Sequence, residues 1–173
     1  MTTTEATGTR RTPVVAPAYI SGGTASGPQL DWEWVEKRLS ENLNYWLATT
    51  LPDGTPHVRP IWAFWRDGEL YFCTVNRCVD YLKSGKPVLI HLESGVDVVI
   101  VEGRATQLKT KAENAVISDA YRELLNHETI ATDEGVYTVN EGYGGPGYKL
   151  APTKILGWVA PNFAVATRWT FPE

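Results

Sequence analysis

The sequence predicts a mainly β (α+β) fold: a small closed or split antiparallel β-barrel with flanking helices. Two turn signals, Pro52-Asp53-Gly54 and Arg66-Asp67-Gly68, separate short β-rich segments and indicate an antiparallel meander. Helical periodicity is confined to short stretches that lie around this meander. The length of 173 residues suits one domain with a hydrophobic core that needs no disulfide.

The composition changes near residue 28, which predicts two parts of the chain. Residues 1–28 consist largely of Thr, Ala, Gly, Pro and Ser and keep no apolar period, which predicts a flexible N-terminal tail. Residues 29–173 contain the predicted helices and strands and are expected to form the barrel domain.

The helices are predicted from their end signals. Asp31 is a good N-cap for a first helix. A short second helix is predicted over residues 77–84, where Gly85 ends it. Thr110 and Glu113 form a capping-box pattern that begins a third helix, and Asn126 is its predicted C-cap.

The strands are predicted from β-rich segments bounded by turn residues. They cover residues 45–51, 57–65, 70–75, 88–93, 98–108, 148–159 and 164–171. Pro56 and Pro60 cannot donate to a ladder, so the second of these strands is predicted to be bulged or to lie at a sheet edge. Residues 127–147 are polar and rich in glycine, and are predicted to form a mobile loop.

Composition excludes several classes of function. Sixteen Lys and Arg against 20 Asp and Glu give a net charge of −4, which argues against a general nucleic-acid binder. Two cysteines cannot form a disulfide framework or a four-thiolate zinc site. Apolar runs are too short for a membrane span, and no secretory signal begins the chain, so we expect a cytoplasmic protein without a membrane partner.

The usual catalytic motifs are missing. The sequence contains no G-x-S-x-G elbow, no P-loop and no H-E-x-x-H, so no catalytic side chain and no metal ligand is assigned. His57 and His91 fall in predicted strands and are interpreted as structural residues. Cys78 has no His or Asn at a known spacing for a nucleophile, which argues against a catalytic thiol.

The stretch from Arg59 to Lys86 is basic within an acidic protein, and it is rich in aromatic residues. Guanidinium groups pair with phosphates and aromatic rings stack on flat molecules, so the stretch suits a flat anionic ligand. A solvated hairpin with one face in the core is the alternative, and the sequence leaves both open. The aromatic residues are Trp62, Phe64, Trp65, Tyr71 and Phe72.

Several segments together resemble a known family. They are residues 45–50 (YWLATT), 52–62 (PDGTPHVRPIW), 67–74 (DGELYFCT), 98–103 (VVIVEG) and 167–171 (TRWTF). Their order and spacing are similar to those of the pyridoxamine-5'-phosphate-oxidase-like split β-barrel flavoproteins, which include flavin/deazaflavin-dependent oxidoreductases. The resemblance covers most of residues 42–171 and implies an FMN-binding-like split barrel over the domain 29–173.

The resemblance also implies a cofactor and an assembly. Such proteins are homodimers that bind coenzyme F-420 or FMN at the subunit interface and transfer a hydride to a small conjugated acceptor. The second strand contacts the ring, the end of the third strand and the next helix hold the phosphate, and the C-terminal strand reaches the ring from the partner. The matching positions are Arg59, Pro60, Ile61, Trp62, Thr74, Arg77, Lys83, Arg168 and Trp169. For Trp169, a place in the barrel core is an equal alternative.

The phosphate segment departs from the family pattern. Val75 replaces a glycine, Cys78 stands where a lysine is expected, and Tyr81 replaces an asparagine. Two alternatives to an oxidoreductase therefore stay open. One is a non-catalytic split barrel that binds a flavin, a haem or another hydrophobic ligand. The other is a dimeric interaction module without a cofactor.

Overall fold

The computed structural model describes residues 12–20, 23–75, 77–140 and 142–171. These residues contain three helices, namely α1 (Trp32–Glu41), α2 (Cys78–Lys83) and α3 (Lys111–Leu125). The strands are β1 (Val14–Pro17), β2 (Tyr19–Ile20), β3 (Gly23–Thr24), β4 (Asn44–Thr50), β5 (Pro56–Arg66), β6 (Glu69–Cys73), β7 (Pro87–Leu92), β8 (Asp97–Gln107), β9 (Thr129–Ala131), β10 (Val136–Thr138), β11 (Gly144–Gly145), β12 (Gly147–Val159) and β13 (Asn162–Thr170).

Strand β12 closes an antiparallel barrel. The large sheet has the order β1-β13-β12-β6-β5-β4-β7-β8, and β12 also pairs with β8 at the far end. The first residues of β12 lie between β6 and β8, whereas its later residues lie between β13 and β8. This change of neighbour splits the barrel and leaves β1 and β13 as an extension. The predicted antiparallel split barrel is confirmed.

The meander forms where its turn residues predict it. Arg66 pairs with Glu69, so Asp67 and Gly68 form a two-residue hairpin loop. Both have positive φ, 52° and 81°, the conformation that Asp-Gly favours in such loops. Residues 56–62 of β5 pair with β4, and β6 begins to pair with β5 at residue 63. Pro56 and Pro60 therefore lie at a sheet edge, as predicted.

The predicted helix ends are confirmed in position, although the Asp31 side chain makes no capping hydrogen bond. Helix α1 follows Asp31 and buries Val35 and Leu39 completely. At the start of α3 the Glu113 amide donates to Thr110 Oγ1 over 3.2 Å, and the Thr110 amide donates to Glu113 Oε2 over 3.0 Å. Asn126 ends α3 in the left-handed region, with φ 50°. Among the described helices, none combines the length and the hydropathy that crossing a membrane requires.

Aromatic side chains fill much of the barrel interior. Trp169, Tyr45, Tyr148 and Phe72 are among the largest side chains that are fully buried. The ring of Trp32, from α1, meets Trp169 edge-on with centroids 6.1 Å apart. The many tryptophans of this chain thus serve partly as core, where their area contributes strongly to packing.

Two predicted irregular segments contain strands. Within residues 1–28, β1 pairs with β13 in the register Val15↔Trp169, and β2 pairs with β3. The prediction that residues 127–147 form a loop is wrong, because β9, β10 and β11 form a small antiparallel sheet there. Both segments gain their order from contacts with distant residues, which local composition does not reveal. Residues 1–11 lie outside the described residues.

Candidate functional site

A cavity of about 300 Å³ opens where β5, the end of β6, the end of α3 and the β9–β11 sheet meet. Its walls combine aromatic and aliphatic side chains with a few hydroxyl, amide and imidazole groups. This composition is typical of small-molecule sites. The lining residues are Asn44, Pro60, Ile61, Trp62, Cys73, Thr74, Val75, Tyr121, His127, Thr129, Val136, Thr138, Tyr143 and Gly144.

Trp62 forms the aromatic wall of the cavity. Side chains alternate along β5, so Ile61 is buried while the Trp62 side chain stays 42% exposed. The Trp62 ring meets Tyr121 edge-on at 5.9 Å and His127 at 5.2 Å between centroids. Tyr121 also donates its hydroxyl to the Trp62 carbonyl oxygen over 2.9 Å, which attaches α3 to β5.

The Thr74 end of the cavity is held by a close backbone contact. A Cβ atom on Gly145 would lie 2.6 Å from the Thr74 carbonyl oxygen, so only glycine allows β11 to approach this closely. The Thr74 amide donates to the Pro146 carbonyl oxygen over 3.3 Å. The Thr74 hydroxyl lies 3.5 Å from Cys78 Sγ at the start of α2.

Both thiols lie near this end, where Cys78 is buried and Cys73 is half-buried. Burial raises the pKa of the Cys78 thiol, and the hydrogen bond with Thr74 and the charge of Arg59 only partly oppose that rise. Burial likewise raises the pKa of Cys73, against a weaker effect of its contact with Tyr121. The thiols therefore stay protonated at neutral pH, which is contrary to a nucleophilic role.

The structure brings four of the predicted site residues together. Pro60, Ile61 and Trp62 from β5 and Thr74 after β6 all line the cavity. Their meeting results from the pairing of β5 with β6 at residues 63–66, which places the end of β6 beside the middle of β5.

The predicted cations lie outside the lining. Arg59 is exposed and donates from Nε to His57 Nε2 over 3.3 Å, and its charge acts on the Cys78 thiol beside Thr74. The pKa of Asp53, in the β4–β5 turn, is lowered mainly by hydrogen bonds with Thr55, and the charge of Arg77 adds a smaller effect in the same direction. Lys83 is exposed in the last turn of α2. Of these three cations, Arg59 is the one whose charge acts on the Cys78 thiol.

The C-terminal strand does not reach the cavity of its own chain. Trp169 is fully buried in the barrel core against Trp32, which agrees with its alternative interpretation as a core residue, and its contact with a cofactor across a subunit interface stays a prediction. Arg168 is half-buried, lies opposite Leu156 and Ala16 in the sheet, and does not line the cavity. Phe72 is buried in the barrel core, whereas Phe64 shares the Trp62 face of β5 and is buried in the cluster that packs under α3. Trp62 is the aromatic residue of the basic stretch that lines the cavity.

Sequence reasoning missed the wall contributed by α3 and the small sheet. Tyr121 was predicted on the apolar face of its helix, and His127 and Tyr143 fell in the predicted loop. The one signal available was the glycine run at residues 142–147, which spells G-x-G-x-x-G. This run leads from β11 into β12 and not into a helix, so it is not a dinucleotide fingerprint.

Metal ligation has no support within the described ranges. No group of three or more His, Cys, Asp or Glu side chains there could hold a metal ion. His91 lies in β7 with Nδ1 2.6 Å from the Leu92 carbonyl oxygen, and His57 contacts Thr49 and Arg59.

No protein-family model matches the chain, and no curated protein sequence matches it. Solved structures do share its fold. A FAD-binding protein from Mesorhizobium loti aligns with a TM-score of 0.55 and 15% identity, covering 93% of this chain and 100% of that one. A conserved hypothetical protein from Mycobacterium tuberculosis aligns with a TM-score of 0.59 and 20% identity, covering 77% and 87%.

A third structure comes from Clostridium acetobutylicum and is described as related to general stress protein 26, of the pyridoxinephosphate oxidase family. Its TM-score is 0.54 with 11% identity, and the alignment covers 80% of this chain and 89% of that one. At these identities the comparison concerns the fold. The chain has the antiparallel split β-barrel fold of flavin-binding proteins similar to the pyridoxine phosphate oxidases.

Proposed function

We propose that the chain binds a flavin-type cofactor, coenzyme F-420 or FMN, in the cavity beside Trp62, and that it is an oxidoreductase acting on a small conjugated acceptor. The observation that carries this proposal is the meeting of Pro60, Ile61, Trp62 and Thr74 in one cavity. The family resemblance had named these four positions as ring and phosphate contacts.

The residues present fit the ring of such a cofactor. The volume of about 300 Å³ lies at the lower end of the range for small-molecule sites, which suits a ring with its tail leaving through the open side. Residues 56–62 of β5 pair with β4 on one edge, and no described strand pairs with their other edge. That edge offers backbone hydrogen-bonding groups to a ring rich in oxygen and nitrogen.

The phosphate of the tail fits the Thr74 end. Thr74 supplies a hydroxyl beside Cys78, and Arg59 supplies a guanidinium whose charge lowers the pKa of that thiol against the stronger effect of burial. A guanidinium is suited to a phosphate because its donors match the phosphate oxygens. Arg77, exposed at the N-cap of α2, is the second candidate for this contact.

The cofactor would supply hydride-transfer chemistry, for which the protein provides position and electrostatics. Trp62 would hold the ring by its face, and the apolar walls would exclude water from it. This role requires no acid–base triad, which agrees with the lack of one in the sequence.

We also propose a homodimer, as the resemblance implies. Val58 and Trp62 are large apolar side chains on β5 that remain 49% and 42% exposed in the single chain. Exposed apolar residues next to a ligand cavity are suited to cover by a second copy, which would complete the cavity from its open side.

A second candidate is a split barrel that binds a flavin, a haem or another hydrophobic ligand without turnover. The observation that favours it is Cys78, which is 1% exposed and carries a neutral thiol where the family has a phosphate-binding lysine. Such a residue contributes no charge to phosphate binding.

Titration of the purified chain with F-420 and with FMN, followed by tryptophan fluorescence, tests the proposal. We expect saturable quenching by one of them at micromolar concentration. Reduced cofactor is then mixed with a panel of conjugated acceptors, and its absorbance is followed. Consumption supports the oxidoreductase, whereas binding without consumption supports the second candidate. No quenching by either cofactor would contradict both, and binding of haem would then be measured separately.

A further inference from the structure

Most polar side chains of the cavity already have a partner within the protein. Tyr121 donates to the Trp62 carbonyl oxygen, the Thr74 hydroxyl contacts Cys78 Sγ, and the Thr138 hydroxyl accepts from the Tyr143 amide over 3.1 Å. The Thr129 hydroxyl lies 2.9 Å from the Ser118 hydroxyl. Each of these groups thus has one partner inside the protein, although the Thr74 hydroxyl can still donate to a phosphate when the Cys78 thiol donates to it.

Two polar side chains of the lining make no hydrogen bond of this kind. Within the described part of the chain, neither the side-chain amide of Asn44 nor the imidazole ring of His127 has a hydrogen-bond partner. The other two histidines contrast with His127, because His57 contacts Thr49 and Arg59 and His91 contacts the Leu92 carbonyl oxygen. Asn44 is exposed and His127 is half-buried, so a ligand can reach both polar groups. Tyr143, 66% exposed, also lines the cavity, but Asn44 and His127 are the two that lie directly beside Trp62.

Both free side chains flank Trp62. Asn44 lies directly opposite Trp62 in the β4–β5 register, so the two side chains stand on the same face of the sheet. His127 meets the Trp62 ring edge-on, with centroids 5.2 Å apart. A flat molecule on the indole would therefore have an amide and an imidazole available at its edges.

The donors and acceptors of this pair form a recognisable pattern. The Asn44 amide carries one carbonyl acceptor and an NH₂ donor, and a neutral imidazole adds one N–H donor. A pyrimidinedione edge presents a carbonyl, an N–H and a second carbonyl in sequence. Two donors and one acceptor complement that edge, provided the ring lies flat against Trp62.

We propose that Asn44 and His127 bind the pyrimidinedione edge of the cofactor ring and determine the specificity of the site for it. This inference rests on the proposed function, because it assumes that a flavin-type ring occupies the cavity. The Asn44 carbonyl oxygen accepts from the ring N–H, while the Asn44 amide and the His127 imidazole donate to the two flanking carbonyls. FMN and F-420 share this edge, so the pair selects the ring class and not one cofactor.

The test compares two ligands that differ at the ring N–H alone. Tryptophan fluorescence of the full chain is titrated with riboflavin and with N3-methylriboflavin, whose methyl group removes the donor. The bound ring would cover the Asn44 carbonyl oxygen, and an acceptor that is covered without its donor is costly. We therefore expect the methylated ligand to bind the wild-type chain at least about tenfold more weakly.

Variants assign this selectivity to the two residues. Asn44→Leu and His127→Phe should each weaken riboflavin about tenfold. Asn44→Leu should also bring the affinities of the two ligands close together. His91→Phe is the matched control, since His91 lies outside the cavity and should leave both affinities unchanged. Thermal denaturation of each variant verifies that it folds. The comparison of the two ligands on the wild-type chain stands even where a variant fails to fold.

The outcomes separate this inference from the proposed function. If riboflavin, FMN and F-420 all fail to bind the wild-type chain, the proposed function fails and the inference fails with it. If riboflavin binds but N3-methylriboflavin binds equally well, the inference is overturned while the proposed function stands. Selectivity that survives Asn44→Leu would also overturn it.

Discussion

The indole ring of Trp62 and the imidazole ring of His127 meet edge-on, with centroids 5.2 Å apart and an interplanar angle of 72°. One residue belongs to β5 and the other follows α3, so the contact joins two elements that are distant in sequence. Together with the Tyr121 hydroxyl bond to the Trp62 carbonyl, it makes the α3 end a wall of the cavity. The ligand-binding role assigned to Trp62 leads to the first prediction.

Trp62→Ala should lower cofactor affinity about tenfold, because stacking on an aromatic face is worth roughly 0.5–1.5 kcal/mol beyond area burial. The unfolding free energy should change by about 1 kcal/mol or less, since the side chain is 42% exposed. Calorimetric titration and urea denaturation measure the two quantities. Trp158→Ala, outside the cavity, is the control, and equal loss of affinity in both variants would contradict the assignment.

Arg59→Ala should weaken FMN about ten- to a hundredfold, since a charge-assisted hydrogen bond is worth roughly 1.5–3 kcal/mol. Riboflavin lacks the phosphate, so its affinity should hardly change. Titration of both ligands, with the exposed α3 variant Arg122→Ala as control, tests this difference. Equal weakening of FMN and riboflavin would show that Arg59 does not hold the phosphate.

Gly145→Ala should destabilise the Thr74 end of the cavity. The new Cβ would lie 2.6 Å from the Thr74 carbonyl oxygen, so β11 must move away, at a cost of about 1–3 kcal/mol for overpacking. We expect lower thermal stability and weaker cofactor binding. Gly95→Ala is the matched control, because no atom lies within 4 Å of the added Cβ. A fully stable Gly145→Ala would contradict the close approach.

Trp169→Ala should cost about 3–5 kcal/mol of unfolding free energy, the usual range for removing a buried tryptophan. Its side chain is fully buried against Trp32. Phe171 belongs to the same buried cluster. Denaturant unfolding of Trp169→Ala and Trp169→Phe measures the loss, which should be smaller for phenylalanine. A stable Trp169→Ala that loses cofactor affinity would instead assign this residue to the site.

The thiols should react slowly in the folded chain. Because burial raises the pKa of Cys73 and Cys78, the reactive thiolate appears only above the ordinary pH range of cysteine. Iodoacetamide labelling at pH 8 should be much slower in the native chain than in urea. The same shifts favour the folded state fully below the ordinary thiol pKa, and this contribution declines as pH rises towards the raised values. Rapid labelling of the native chain at pH 7 would contradict the raised pKa of these thiols.

Features that depend on neighbouring residues were predictable from the sequence. The Asp67-Gly68 hairpin, the Thr110 capping box and the edge position of Pro60 each follow from the conformational preference of one or two residues. The order of these elements was sufficient to predict an antiparallel split barrel.

The cavity was only half predictable, because its other half depends on contacts between distant residues. Tyr121 bonds to Trp62 across 59 residues of sequence, and nothing in the local pattern of α3 distinguishes it from a core tyrosine. The glycines of the predicted loop indicated flexibility, whereas Gly145 is needed for close packing against Thr74. The sequence left Trp169 evenly weighed between core and site, and its complete burial agrees with a core residue.

The proposed function requires a flavin-type ring to lie against Trp62. Its most direct test is the set of indole N–H signals in a nitrogen-15 NMR spectrum, recorded with and without F-420 or FMN. Seven tryptophans give one indole signal each, and Trp62→Phe identifies the one that matters. We expect saturating cofactor to shift the Trp62 signal most and to leave the buried Trp169 signal nearly unchanged. A cofactor that binds without moving the Trp62 signal would contradict this placement of the ring.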